Sequence, residues 1–286
     1  MGKALNVDLS GRVAVVTGAN TGIGREVASG LARLGATVVM ACRSAERGQV
    51  ARDALAAETG NPRIELMTVD LSSQASIRRF AQAFGERYDR LHALVNNAGL
   101  WAGDRELSAD GIEMTWATNV LGYYLMIVTL LDRLRAGAPA RVVNVASDLA
   151  RDLDLGDVQF ERRAFGGMTA YAQSKQANRM LTWALAKRLQ GTGVTANAVH
   201  PGFVHTELFR HQGGLVGGTV SQGARFFGRK PEKGAETVTW AAAAPELEGI
   251  SGKFFADLHE KPCPFREPAT VEALWRLCGE MTQAPL

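Results

Sequence analysis

Residues 13–24 read VAVVTGANTGIG. The opening VAVVT is a continuous β-branched run rather than an alternating one, which suits a strand buried on both faces. Gly18, Gly22 and Gly24 follow at once. Beyond them Ile23, Val27, Leu31 and Leu34 recur at spacings of four, four and three, which draws one apolar helical face. Gly35 then marks the end of that helix. A glycine loop between a strand and a helix has a physical use. Without a Cβ the backbone turns tightly and approaches a ligand closely, and amides at the helix N-terminus meet negative charge such as a pyrophosphate. The strand before the loop and the helix after it are the context that gives this motif its weight.

The same rhythm continues outward. Strand-like runs recur as TVVMA (37–41), IELMTV (64–69), LHALV (91–95), RVVNVAS (141–147), VTANAV (194–199) and GKFFA (252–256), with helical patterns between them. Strand, helix, strand at this spacing predicts a single doubly wound α/β domain over residues 1–286: about seven parallel strands with helices on both faces. Two stretches break the rhythm, 148–168 and 201–231. The second holds seven glycines, which predicts a mobile substrate lid over about 203–230. Within it Leu208-Phe209 and Phe226-Phe227 are expected to close an apolar pocket. Both stretches follow strands, where an α/β sheet places its ligand.

Composition narrows the field. At 46% hydrophobic and 21% charged, the chain is ordinary for a globular protein. The net charge of +3 is spread without a basic block, so nucleic acid is not an expected partner. Cys42, Cys263 and Cys278 lack CxxC spacing, and His92, His205, His211 and His259 lack ligand spacing, so neither a disulfide framework nor a metal is expected. A reducing cytoplasm is the expected setting. MGKALNVDLSGRVAVVTG contains no apolar stretch long enough for a signal peptide or an anchor. The run VLGYYLMIVTLL (120–131) is too short to span a bilayer and reads as a buried helix. It is apolar on nearly every side, so a second copy packed across a two-fold axis is expected to cover it, giving a homodimer or homotetramer.

The end of the second strand bears on the cofactor. An NAD site usually has an acid there. Here the sequence is MACRSAER, with no acid before Glu46 and with Arg43 at the place. A guanidinium pairs bidentately with a 2′-phosphate, so NADP(H) is expected over NAD(H). Asp70, in VDLS (69–72), is placed to accept from an adenine amino group. NNAG (96–99) offers a close wall of small residues.

TGANTGIG, VDL, NNAG, Asn119 in ATNVLG, Ser147 in VNVASD, YAQSK (171–175) and HPGFVHTE (200–207) occur in the order, and over nearly the whole length, of a short-chain dehydrogenase/reductase. The chain resembles that superfamily. ACRS, AKRLQGTGVTANAVHPG and SGKFFAD give a finer resemblance to its retinol-dehydrogenase-like subgroup, and bacterial ketoreductases of aromatic polyketides look similar. The 24 positions between Ser147 and Tyr171 are longer than the superfamily's usual spacing, but the subgroup shares that insertion. Membrane-bound retinoid enzymes carry an N-terminal anchor that this sequence does not show. The resemblance implies that Gly18, Asn20, Thr21, Gly22, Ile23, Gly24, Arg43, Asp70, Leu71, Asn97, Ala98, Gly99, Tyr171, Lys175, Pro201, Gly202, Val204 and Thr206 hold the cofactor. It implies that Asn119, Ser147, Tyr171 and Lys175 perform hydride-coupled proton transfer on a small carbonyl or alcohol substrate.

The chemistry suits these residue types. A carbonyl that receives hydride becomes an alkoxide and needs a proton. A phenol supplies one, and a nearby ammonium is expected to lower its pKa. Lys175 stands one helical turn after Tyr171. Ser147 is placed to donate to the substrate oxygen, and Asn119 to hold a water that passes protons to Lys175. His200 reads as structural. Trp101, directly after NNAGL, is the tryptophan best placed to touch a bulky apolar substrate. A non-catalytic NADP(H) sensor and a C=C reductase like protochlorophyllide reductase are the competing functions. Ser147, Tyr171 and Lys175 together argue against the sensor, which need not keep a proton donor.

Overall fold

The computed structural model describes residues 5–202 and 230–285. The loop of the opening stretch lies between β1 (Val13–Thr17) and α1 (Gly22–Arg33). After Leu34 the chain turns through Gly35 at φ +89°. There follow β2 (Thr37–Cys42), α2 (Ala45–Thr59), β3 (Ile64–Thr68), α3 (Gln74–Arg87) and β4 (Ala93–Asn96). The long helix α4 (Met114–Ala136) precedes β5 (Ala140–Val145). Then come α5 (Gly167–Arg188), β6 (Val194–His200), α6 (Pro231–Ala243), β7 (Phe254–Ala256), β8 (His259–Glu260) and α7 (Pro268–Thr282).

The sheet has the order β3-β2-β1-β4-β5-β6-β7-β8. Seven strands are parallel, as expected, and β8 runs antiparallel to β7. No pattern in the chain announces β8. It pairs through a two-residue turn, Asp257-Leu258, with both residues at positive φ (51° and 64°), a conformation that Asn-Gly usually announces and Leu does not.

Alternating strand residues feed two cores. Val16, Val38, Met40, Val95 and Val143 meet α1, α2 and α6 on one face. Val15, Val39, Leu94, Val142 and Ala196 meet α3, α4, α5 and α7 on the other. The strand order reverses at β1, between β2 and β4, so the crevice beyond their carboxyl ends is the natural ligand position.

Helix α4 is longer than the apolar run predicted. Glu113 caps it, its carboxylate accepting from the amides of Thr115 (2.8 Å) and Trp116 (2.7 Å). Its 23 residues would be long and apolar enough to cross a bilayer, but 78% of that span's most apolar window is buried within the protein. Part of the cover over α4 comes from α7 and the residues after it in the same chain. The Tyr124 hydroxyl donates to the Ala284 carbonyl (2.8 Å), and its ring meets Trp275 edge-on at 4.9 Å. Among the described residues the three cysteines are free, and no cluster of metal-ligating side chains occurs.

Candidate active site

The glycine loop opens at the carboxyl end of β1. Gly22 has φ +57°, and a Cβ built on it meets nothing within 4 Å, so the loop faces open space there. Gly24 is the opposite case. A Cβ would strike the Asn97 amide nitrogen and the Gly18 carbonyl, so only glycine lets α1 begin this close to the end of β4. Thr21 makes no side-chain cap, and the first turn of α1 holds no acid. Its amide donors and its positive dipole end therefore remain available to an anion.

Thr17, which sequence reasoning passed over, ties this loop to NNAG. Its buried hydroxyl accepts from the amides of Asn97 (2.9 Å) and Ala98 (3.0 Å), while the Asn97 side chain donates to the Thr17 carbonyl at 2.9 Å. The burial of Cys42 beneath the loop was also missed. Desolvation pushes its thiol up to about 11, opposed by hydrogen bonds from the backbone of Ala19 and Asn20.

At the end of β2 Arg43 is exposed, with no ion pair or side-chain hydrogen bond to the described residues. Asp70 uses one carboxylate oxygen in its own turn, accepting from the Ser72 amide (2.9 Å) and hydroxyl (2.7 Å). Leu71 beside it is buried. Pro201 and Gly202 follow β6 on the same edge of the sheet, Gly202 at φ +84°. Val204, Thr206 and the lid expected over 203–230, with Leu208-Phe209 and Phe226-Phe227, lie outside the described residues.

Ser147 leaves the sheet two residues after β5, beside NNAG at the end of β4. Helix α5 crosses behind these ends and presents YAQSK. The Ser147 hydroxyl lies close enough to Tyr171 to act on its phenol. Lys175 Nζ lies 5.5 Å from the centre of the Tyr171 ring and donates to the Val145 carbonyl at 3.0 Å. The other polar residues of the motif are structural. Gln173 donates to the Val158 carbonyl (2.9 Å), pinning the 148–166 insertion, and Ser174 accepts from Asn119.

Asn119 occupies a π-helical turn, Ala117–Leu121, within α4. Such one-turn bulges often mark functional sites. The structure changes the means expected of this residue. Its amide protons go to the Leu100 carbonyl (2.9 Å) and the Ser174 hydroxyl (3.0 Å), and its oxygen accepts from the Leu100 amide (2.9 Å). The side chain clamps the backbone after NNAG, and neither proton is left to hold a water.

The expected electrostatics also change. Burial pushes the Tyr171 phenol up to about 12, and the neighbouring Ser147 hydroxyl only opposes this. The lowering expected from Lys175 does not emerge, because burial depresses the lysine itself to about 7. A buried ammonium with no carboxylate beside it loses its proton readily. Trp101 stacks on Tyr171, centroids 5.5 Å apart and planes 15° apart. With Leu149 they form a small apolar cluster separate from both cores. Gly167 makes room for the indole, since a Cβ there would lie 2.7 Å from its nitrogen.

This is the constellation of a dinucleotide oxidoreductase, and residues 12–213 match the short chain dehydrogenase family. The chain belongs to that family. It is 40% identical over 275 residues to retinol dehydrogenase 13 of Mus musculus, covering 93% of this chain and 82% of that protein. It is 42% identical over 280 residues to human retinol dehydrogenase 12, covering 96% and 88%. A crystal structure of an uncharacterised Mycobacterium paratuberculosis protein superposes with a TM-score of 0.78 at 30% identity, over 98% of this chain and 97% of that one. A Burkholderia cenocepacia short chain dehydrogenase in complex with NADP gives 0.69 at 29%, over 87% and 96%. This short-chain dehydrogenase therefore binds a nicotinamide cofactor and acts on an alcohol or carbonyl group.

Proposed function

We propose that this enzyme uses NADP(H) and reduces the carbonyl of a bulky, apolar ketone or aldehyde, or oxidises the corresponding alcohol. The carrying observation is Ser147 beside Tyr171, with Lys175 one turn further along the same helix and bonded to the Val145 carbonyl. The open, uncapped start of α1 suits the cofactor's diphosphate, held by the backbone from Gly18 through Asn20, Thr21, Gly22 and Ile23 to Gly24. An exposed Arg43 at the end of β2 suits the 2′-phosphate, and the NADP complex of the Burkholderia relative supports the same choice. Asp70 and Leu71 would hold the adenine. Asn97, Ala98, Gly99 and Lys175 would hold the nicotinamide ribose, with Pro201 and Gly202 toward the nicotinamide.

The bound nicotinamide supplies the hydride. Ser147 donates a hydrogen bond to the carbonyl oxygen and fixes its distance from Tyr171. Tyr171 gives its proton to that oxygen as negative charge develops there. A phenol held near 12 stays protonated at neutral pH, which favours the reducing direction. Lys175 in its ammonium form stabilises the phenolate that remains. Trp101 and Leu149 give the substrate an apolar, partly aromatic wall.

The test is Tyr171→Phe. NADPH should still bind, and reduction of a panel of retinoid, steroid and aromatic carbonyls should fall by about 10²–10⁴-fold. Wild-type protein that reduces no carbonyl in the panel, or a phenylalanine variant that keeps most of its activity, would reject the proposal.

A further inference from the structure

Arg179 is buried, one turn beyond Lys175 on α5, and takes no part in the chemistry described above. Its Nη2 donates to the Ser147 carbonyl at 2.5 Å and to Asp148 Oδ1 at 3.0 Å. The guanidinium lies 3.6 Å above the centre of the Phe254 ring, and Nη1 is 3.9 Å from Cys263 Sγ. The other oxygen of Asp148 meets His200 Nε2 at 3.3 Å, at the end of β6 just before Pro201-Gly202.

The spacing explains the contact. Lys175 holds the Val145 carbonyl, and Arg179 holds the Ser147 carbonyl. Four helical residues rise about 6 Å. Two residues of extended chain advance about 6.6 Å. Two cations one turn apart therefore stay in register with carbonyls two residues apart, and α5 grips the end of β5 at two successive points. Burying a guanidinium is unfavourable unless its donors are used. An aliphatic side chain would pack on Phe254 without that cost, but it would leave the Ser147 carbonyl with only the 3.3 Å bond from the Ala150 amide.

We infer that Arg179 is a positioning residue. By holding the carbonyl of Ser147 it sets the direction of the serine hydroxyl toward Tyr171 and the substrate oxygen, and the exposed Asp148 orients the guanidinium. This rests on Ser147 acting as the hydrogen-bond donor to substrate.

A double-mutant cycle tests it, with Arg179→Lys and Ser147→Ala measured singly and together, by single-turnover carbonyl reduction at saturating NADPH. Arg179→Lys keeps a charge but loses the planar fork. It should lower kcat by about 10- to 100-fold, the value of a charge-assisted hydrogen bond, with NADPH affinity unchanged. In the Ser147→Ala background the same substitution should cost less than about threefold, because the group it acts through is gone. Asp148→Asn, at an exposed position that folding tolerates, gives an independent arm. It should lower kcat with Ser147 present and have no effect in the alanine background. Equal losses in both backgrounds, or full activity in both Arg179→Lys and Asp148→Asn, would overturn the inference. If Ser147→Ala alone leaves turnover intact, the reading of Ser147 has failed instead.

Discussion

Lys175→Met should stabilise the cofactor-free enzyme while abolishing its activity. Lys175 is buried and, among the described residues, bonded only to the Val145 carbonyl, with the rings of Tyr123 and Tyr171 each 5.5 Å from its nitrogen. Desolvation lowers its pKa from the ordinary 10.5 to about 7. Between these two values the unfolded chain holds a proton that the folded chain does not, so this group makes stability rise with pH from about 7 to 10.5 and is flat outside that window. At 1.36 kcal/mol per unit, the lysine costs the fold about 4 kcal/mol at pH 7. Methionine removes that cost but strands the Val145 carbonyl, a loss of about 1–3 kcal/mol. The net gain of about 1–3 kcal/mol raises Tm by about 2–5 °C for a chain of this size. Scanning calorimetry of both proteins at pH 7.0 and 8.5 is the assay. Wild-type protein should gain about 2 kcal/mol across that interval from this group, and the difference between the two proteins should shrink accordingly. The burial-raised thiols of Cys42 and Cys278 stay protonated there and are common to both. A variant less stable than wild type at pH 7, or a gap that does not close with pH, would refute the view of Lys175 as an uncompensated buried cation.

Arg43→Ala should weaken NADPH by about one to two decades and leave NADH nearly untouched, measured by fluorescence titration; equal affinity of the wild type for both cofactors would contradict the assignment. Trp101→Ala opens the wall against Tyr171, so KM for large carbonyls should rise several-fold more than for small ones, and the basic limb of the kcat profile should move to lower pH as water reaches the phenol. Deleting residues 268–286 uncovers Tyr124 and the outer side of α5, and should give an aggregating or associating protein by light scattering; a monodisperse, equally stable product would show that α7 is not their cover.

The strand and helix rhythm, the glycine loop and the order of NNAG, Ser147, Tyr171 and Lys175 were legible in the chain alone. Each is a local signal, since periodicity follows from backbone geometry and Gly24 from a collision within one loop–strand junction. That Arg179 follows Lys175 by one turn was equally visible, but not that Ser147 would offer it a carbonyl. The Thr17 latch, the clamp of Asn119 on Leu100, and the ladder in which Asn96 donates to Asn144 and Asn144 to Thr182 link residues 19 to 80 positions apart. No short-range pattern encodes such pairs. Chemistry suggested that Lys175 would acidify Tyr171, whereas folding buries both groups and drives the phenol up and the ammonium down. Trp275 of α7 likewise reaches Tyr124 on α4 from far along the chain. Desolvation and polar pairing depend on which atoms converge through space, and only the tertiary structure decides that.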